Sequence, residues 1–426
     1  MNAPGLEDNQ LPQMDAAHVI GDRGTELWRR TIPDLFKEKV ASFSEREATV
    51  FFEQDVRWTW SELDREVDAM AHGLLALGLT KGDRVGIWSP NRYEWILTQF
   101  ATARLGLILV TINPAYRVTE VEYVLNKVAC KALVTATRFK SSDYIGMLQG
   151  LAPELADCAP GDLQASKLPS LRAVIRTGDD ETPGMIKFGT LVDSGRDCDL
   201  VALDAITETL DPDDAINIQF TSGTTGAPKG ATLTHVNIIN NGRYTVAAQK
   251  LSETDRLCIP VPLYHCFGMV MGSLGCVATG STMVFPAEGF DSDSCLKAIS
   301  EENCTSVYGV PTMFVGMLQH PDFENFDFSS LRTGIMAGAP CPIEVMKQCV
   351  SEMNLSEITI AYGMTETSPV SFQTSDSDPL ERRVSTVGRV HPHVECKIVD
   401  ETGNTVEPGV QGELCTRGYS VMKGYW

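Results

Sequence analysis

The sequence predicts an α/β protein of two doubly wound, mostly parallel sheets with flanking helices, plus a small antiparallel, barrel-like β subdomain at the C-terminal end. Three observations carry this. Short apolar runs alternate with amphipathic stretches, first through 84–135 and again from 215 onward, and that β/α alternation calls for parallel sheets covered on both faces. The 426 residues exceed one ordinary domain. The tail "HVECKIVDETGNTVEPGVQGELCTRG" shows two β-rich runs separated by Gly, Asn and Pro turn signals, with no helix between them.

Taken in order, "ATVFFEQDVRWTW" reads as two short strands. Ser61 and Asp64 then form a capping-box-like start to a helix bearing Leu63, Val67, Met70, Leu74 and Leu77 at helical spacing. "RVGIWS", "LILVTI" and "KALVTA" are strands, separated by the helices "NRYEWILTQFATARLG" and "TEVEYVLNKVA". Residues 140–210 have weak periodicity and are expected to bridge two lobes. The pattern resumes at "AINIQF", with a helix from Thr234, then the strands "RLCIPV", "STMVFP", "TSVYGV", "LRTGIMAG" and "ITIAYG" and intervening helices near 267–279, at 294–302, from Pro311 and over "PIEVMKQCVSEM". The expected organisation is an arm at 1–24, a first lobe at 25–210, a second at 211–375 and a β-rich subdomain at 376–426.

A net charge of −21 argues against nucleic acid as a partner, since that surface is held by dense Lys/Arg patches. The twelve cysteines include no C-x-x-C pair and no metal-ligand spacing, so they read as reduced thiols. The N-terminus lacks an apolar leader core, and no run of about 18 apolar residues is long enough to span a membrane. A soluble protein of the cytoplasm is expected.

"FTSGTTGAPKGATLTH" at 220–235 gathers three glycines (Gly223, Gly226, Gly230), five hydroxyl residues (Thr221, Ser222, Thr224, Thr225, Thr232) and Lys229 after an apolar strand. So many N–H and O–H donors in one small volume suit a phosphate cradle. A flexible turn is the alternative for such a string alone. The pattern departs from G-x-x-x-x-G-K-[ST], because Pro228 precedes Lys229 and Gly230 follows it; the lysine is therefore expected on a loop, outside a P-loop.

Ligands of doubly wound sheets sit at the carboxyl ends of strands. Three more unusual loops fall there: "PLYHCFGM", "MAGAPCP" and "YGMTETSP". In the last, Tyr362 offers a ring that can stack on a base, Thr365 a hydroxyl for a phosphate, and Glu366 a hard oxygen ligand for magnesium. Singly, Tyr362 reads equally as strand-end packing and Glu366 as a solvated acid; together with the Gly/Thr/Lys loop they form a constellation.

"TSGTTGAPKG", "GAP", "AYGMTE" and "GELCTRGYSVMKGYW", in that order, resemble the motifs of the acyl-adenylate-forming superfamily, which includes acyl-CoA synthetases, peptide-synthetase adenylation domains and beetle luciferases. "NPAY", "PLYHC", "PTMF" and "RGYSVMKGYW" are most similar to its medium-chain and bacterial fatty-acyl-CoA ligases, and the likeness runs from about residue 25 to the end. The resemblance implies ATP (or AMP), Mg2+ and coenzyme A as cofactors and co-substrates. It implies Thr221, Ser222, Gly223, Thr224, Thr225, Gly226 and Lys229 around the phosphates, Gly338, Ala339 and Pro340 along the adenine, and Tyr362 and Gly363 as the stacking position. Thr365 is implied at the α-phosphate, Glu366 as magnesium ligand, and His265 beside the acyl group and nucleotide, where a buried core histidine is the alternative. Thr365, Glu366, Lys229 and His265 are thus the catalytic candidates. His265, Cys266, Phe267, Met269, Tyr308 and Val310 are the candidates for the wall around a medium- to long-chain fatty acid.

The implied reaction is carboxylate attack on ATP to give acyl-AMP and pyrophosphate, then acyl transfer to CoA, in lipid metabolism, with a homodimer as the expected assembly. The family's ribose aspartate, adenylation lysine and pantetheine tunnel lie in a C-terminal domain beyond the motif that ends here at Trp426, so the chain is expected to be the large N-terminal domain, nearly inactive alone. A non-catalytic adenylate-binding module is the alternative from another class. An amino-acid-activating or aryl-CoA ligase domain is a less favoured alternative. Residues 257–287 contain no Asp or Glu, so a buried substrate ammonium would stand uncompensated.

Overall fold

The computed structural model describes residues 15–221 and 226–426. Its two large sheets have nine and eight strands. In spatial order the eight-stranded sheet runs Ile186–Lys187, Ala173–Arg176, Ala132–Thr135, Arg84–Trp88, Ile108–Thr111, Ala215–Thr221, Lys229–Thr234 and Gly424–Tyr425. The first six are parallel and the last two antiparallel. The nine-stranded sheet runs Arg389–Val390, Val370–Gln373, Glu357–Gly363, Thr333–Ala337, Ser306–Gly309, Arg256–Cys258, Thr282–Phe285, Glu47–Phe51 and Val56–Thr59, parallel in its interior and antiparallel at both edges.

Period-2 alternation sorts the strand residues into layers. Leu109 faces the largest core while Ile108 and Val110 face a second one; Leu257 and Ile259 join the largest while Cys258 joins a third, and Met283 and Phe285 split from Val284 in the same way. The sheets therefore share one central core, and each has a further core on its outer face. Helix Tyr93–Arg104 is buried from Glu94 to Arg104, its polar residues Glu94, Thr98, Gln99 and Thr102 included, so it presents no solvent face and is covered on every side.

Several sequence expectations change. Strands Glu47–Phe51 and Val56–Thr59, expected in the first lobe, form the edge of the nine-stranded sheet, where Phe51 stacks on Phe285 at 4.6 Å. Conversely Ala215–Thr221 and Lys229–Thr234, expected to open the second lobe, complete the eight-stranded sheet: Asn217 pairs with Leu109 and its amide donates to the Leu109 carbonyl at 2.9 Å. The sheets thus exchange strands across the expected boundary at 210. The stretch 140–210 holds the fully buried strand Ala173–Arg176, whose four residues were too few to show alternation. The cap of helix Trp60–Ala76 is Thr59 with Glu62, two residues before the Ser61/Asp64 pair, because Trp60 already turns inward. The barrel-like subdomain is an open three-stranded antiparallel sheet that recruits His18–Ile20 from the expected arm to pair with Val394–Val399, which pairs in turn with Glu413–Gly418.

Candidate functional site

Lys229 opens a strand: the hairpin register Thr221↔Lys229 through Asn217↔Leu233 places it directly across from Thr221, correcting the expectation of a loop lysine. Ser222, Gly223, Thr224 and Thr225 lie outside the described residues. Gly226 follows with a φ of 152° and open space around it.

Opposite the hairpin, strands Thr333–Ala337 and Glu357–Gly363 end side by side. A cleft of about 580 Å3 opens at their carboxyl ends, lined by Gly338, Ala339, Pro340, Tyr362, Gly363 and, from a segment the sequence reading missed, Val384 to Val387. Gly338 takes a φ of 83°, and a Cβ there would press within 3.2 Å of Val310, so the turn hugs the wall. Tyr362 leaves 44 % of its surface exposed despite being a large aromatic, and its ring meets Phe372 edge-on at 6.3 Å. Strand-end packing therefore does not account for it.

Beyond Tyr362 the chain bulges at Gly363, where a Cβ would lie 1.8 Å from the Pro369 carbonyl oxygen, and enters the 3-10 turn Thr365–Thr367. Thr365 is buried. Two hydroxyls donate to one oxygen of Glu366: Tyr425 at 2.8 Å and Thr221 at 3.4 Å. The Lys229 ammonium sits 5.3 Å from the centre of the Tyr425 ring. Lys229, Glu366 and Thr221 are therefore gathered around Tyr425, a residue absent from the sequence-derived site because strand pairing alone brings "KGYW" there.

Helix His235–Ala247 fixes this arrangement with a buried asparagine run. Asn241 donates to the Val370 carbonyl at 2.8 Å and accepts from the Val370 N–H at 3.0 Å; Asn240 grips both polar backbone atoms of Trp28 at 2.8 Å; Asn237 donates to the Tyr419 carbonyl. Each amide satisfies backbone groups that would otherwise be buried without partners.

The His265 side chain reaches solvent at the edge of the surrounding protein. Its Nδ1 accepts the Phe267 N–H at 3.1 Å, and the protein crowded around it draws its pKa below the ordinary histidine value, favouring the neutral ring with its proton on Nε2. Cys266 is buried; its thiol donates to Gln219 Oε1 at 3.0 Å and is pushed well up by desolvation, with the Thr365 hydroxyl opposing. Gln219, another residue not anticipated, also reaches Met269 Sδ at 3.7 Å. Phe267 and Tyr308 pack at 5.6 Å, the Tyr308 hydroxyl accepting from Gln249 at 2.8 Å, and Val310 is half-buried above them. Cys266, Phe267, Met269 and Tyr308 thus form one apolar block within the central core, next to the Thr365 turn.

Among the described residues no three His, Cys, Asp or Glu side chains are arranged to enclose a metal ion. Glu366 with its two hydroxyl neighbours is an all-oxygen donor set, and Mg2+ is commonly held through one or two carboxylates with waters and phosphate oxygens, so the set fits. Another cleft, about 590 Å3, lies by helix Trp60–Ala76; its lining carries Glu62, Asp64, Glu66 and Asp68 against Arg65 and Arg196, a balance that repels phosphates.

A family model described as "AMP-binding enzyme" matches residues 36–426. The chain is 46 % identical over 419 residues to the mitochondrial medium-chain acyl-CoA ligase ACSF2 of Danio rerio, covering 98 % of this chain and 69 % of that protein. It is 44 % identical over 402 residues to a putative acyl-CoA synthetase, YngI, of Bacillus subtilis, covering 94 % and 73 %. Among solved structures, a putative long-chain-fatty-acid CoA ligase from Rhodopseudomonas palustris superposes with a TM-score of 0.78 at 25 % identity, covering 94 % of this chain and 91 % of that one. The anthranilate CoA ligase AuaEII in complex with anthranoyl-AMP gives 0.82 at 22 % identity, covering 95 % and 72 %, and bears on the fold alone. Among the described residues no helix is long and apolar enough to cross a membrane.

Proposed function

The chain belongs to the AMP-binding enzyme family, and from that premise we propose that it is the ATP- and acyl-binding part of an AMP-forming acyl-CoA synthetase whose carboxylate is an apolar, medium- to long-chain fatty acid. The observation that carries this is the exposed Tyr362 ring in the wall of the cleft, three and four residues before Thr365 and Glu366.

In this reading adenine stacks on Tyr362 between Gly338–Pro340 and the Val384–Val387 segment, and the phosphates run toward Lys229 and the Thr221 hairpin. Lys229 and Thr365 neutralise and orient the phosphates while the substrate carboxylate attacks the α-phosphorus and pyrophosphate departs; the thiol of CoA then displaces AMP. No protein nucleophile is required, so positioning and electrostatic stabilisation carry the chemistry. Mg2+ held at Glu366 would supply charge neutralisation on the phosphates. Neutral His265 orients the acyl carboxylate by donating from Nε2. The apolar block of Cys266, Phe267, Met269 and Tyr308 backs the acyl tail, which favours a hydrocarbon over an amino acid. The twelve cysteines are all free thiols, in keeping with a reducing compartment such as the cytoplasm.

The test is calorimetric titration with acyl sulfamoyl-adenosines of rising chain length. Each methylene that enters the pocket should tighten binding by about 0.8 kcal/mol until the pocket ends. Tighter binding of aminoacyl or short hydrophilic analogues than of the octanoyl one would refute the substrate class.

A further inference from the structure

We propose that Tyr425 is a positioning residue of the nucleotide site, holding the Glu366 carboxylate through its hydroxyl and supporting the Lys229 ammonium on its ring face. This rests on the roles of Glu366 and Lys229 proposed above and adds a residue that sets their mutual geometry.

Strand Gly424–Tyr425 lies antiparallel to Lys229–Thr234, with Ala231 opposite Tyr425, and the Trp426 N–H donates to the Gly230 carbonyl at 2.8 Å. The strand therefore has a fixed register against the strand that Lys229 opens. The same segment also grips the Glu366 turn, since the Met422 N–H donates to the Glu366 carbonyl at 3.0 Å and Ser368 Oγ donates to the Ser420 carbonyl at 2.6 Å. Glu366 is thus anchored twice by one segment, at its backbone through Met422 and at its carboxylate through the 2.8 Å bond from Tyr425.

Tyr425 has little packing duty: 48 % of its surface is exposed, in a strand of two residues. Its interactions are polar and aimed at the two charged groups of the site. A carboxylate has about four lone-pair positions over its two oxygens, so Glu366 can keep the Tyr425 and Thr221 hydroxyls on one oxygen and still bind a cation. A neighbour that orients a cation ligand in this way typically changes cation affinity by roughly 10- to 100-fold when removed.

The experiment measures ATP binding to the 426-residue chain by calorimetry across a Mg2+ series and in EDTA, with Mn2+ binding followed by electron paramagnetic resonance and AMP in EDTA as reference. Tyr425→Phe should raise the half-saturating Mn2+ concentration by roughly tenfold or more and leave AMP affinity in EDTA unchanged. Tyr425→Leu should in addition weaken ATP in EDTA, because Lys229 loses the ring. Glu366→Gln is the control for the underlying reading. If it abolishes the cation dependence while Tyr425→Phe retains wild-type Mn2+ binding, the positioning role is wrong and the Glu366 assignment stands. If Glu366→Gln leaves the cation dependence intact, that assignment falls and the proposal with it. Loss of AMP binding in Tyr425→Phe would show that the residue serves the fold, which also overturns the proposal.

Discussion

Single residues at this site are distinguished by exposure that packing does not require. Tyr362 and Glu366 stand out as candidates in one local string, since a ring, a hydroxyl and a carboxylate within five positions are chemically unusual. Tyr425 was not legible, because its hydroxyl meets a carboxylate 59 positions away through strand pairing. Two substitutions test the proposed base end of the site against its proposed phosphate end. Tyr362→Ala should weaken ATP and AMP alike by about 1 to 3 kcal/mol, the usual worth of stacking a base on an aromatic ring. Lys229→Ala should weaken ATP by about 1.5 to 3 kcal/mol and AMP by much less, since a charged contact to the outer phosphates has no counterpart in AMP. Calorimetric titrations with both nucleotides check the pair; equal losses for ATP and AMP in Lys229→Ala would move that lysine away from the outer phosphates.

At the level of elements, strand ends and their glycines bring the site together. Strand Glu357–Gly363 must turn away just after Tyr362, and it does so where Gly363 passes so close to Pro369 that no side chain fits. Gly363→Ala should therefore push strand Val370–Gln373 aside, destabilise the protein by about 1 to 3 kcal/mol as overpacking does, and shift the Thr365–Thr367 turn. Denaturant unfolding together with ATP titration tests this: both stability and ATP affinity should fall, and an unchanged affinity would separate the bulge from the site. Most interior strands and helices were readable from periodicity. The strand order was not, because parallel pairing is set by burial of both faces and leaves no mark of which neighbour a strand will choose. Hence Glu47–Phe51, expected in the first lobe, lies in the nine-stranded sheet, and the Asn run of helix His235–Ala247 likewise carries no mark of the partners its amides reach, Trp28, Val370 and Tyr419.

For the whole molecule, the shared core sets an acid limit. His235 and His391 are buried, each with one ring nitrogen lacking a partner among the described residues, and desolvation pushes both from the ordinary 6.5 down to about 4, with Asp214 and Asp34 only partly offsetting this for His235. Between these values the unfolded chain binds protons that the folded one refuses, so stability is full above about pH 6.5 and declines as pH falls toward 4, by about 3 kcal/mol for each histidine. Denaturant unfolding at stepped pH checks the slope; a flat profile across that window would mean that the rings are solvated in the folded state. The measurement that bears most directly on the proposed nucleotide site is a structure of the chain with ATP and Mg2+ bound. Adenine should lie against Tyr362 beside Gly338–Pro340, with the outer phosphates at Lys229 and the cation at Glu366. Adenine seated elsewhere, for instance in the acidic cleft walled by Trp58, Glu66 and Arg196, would contradict it.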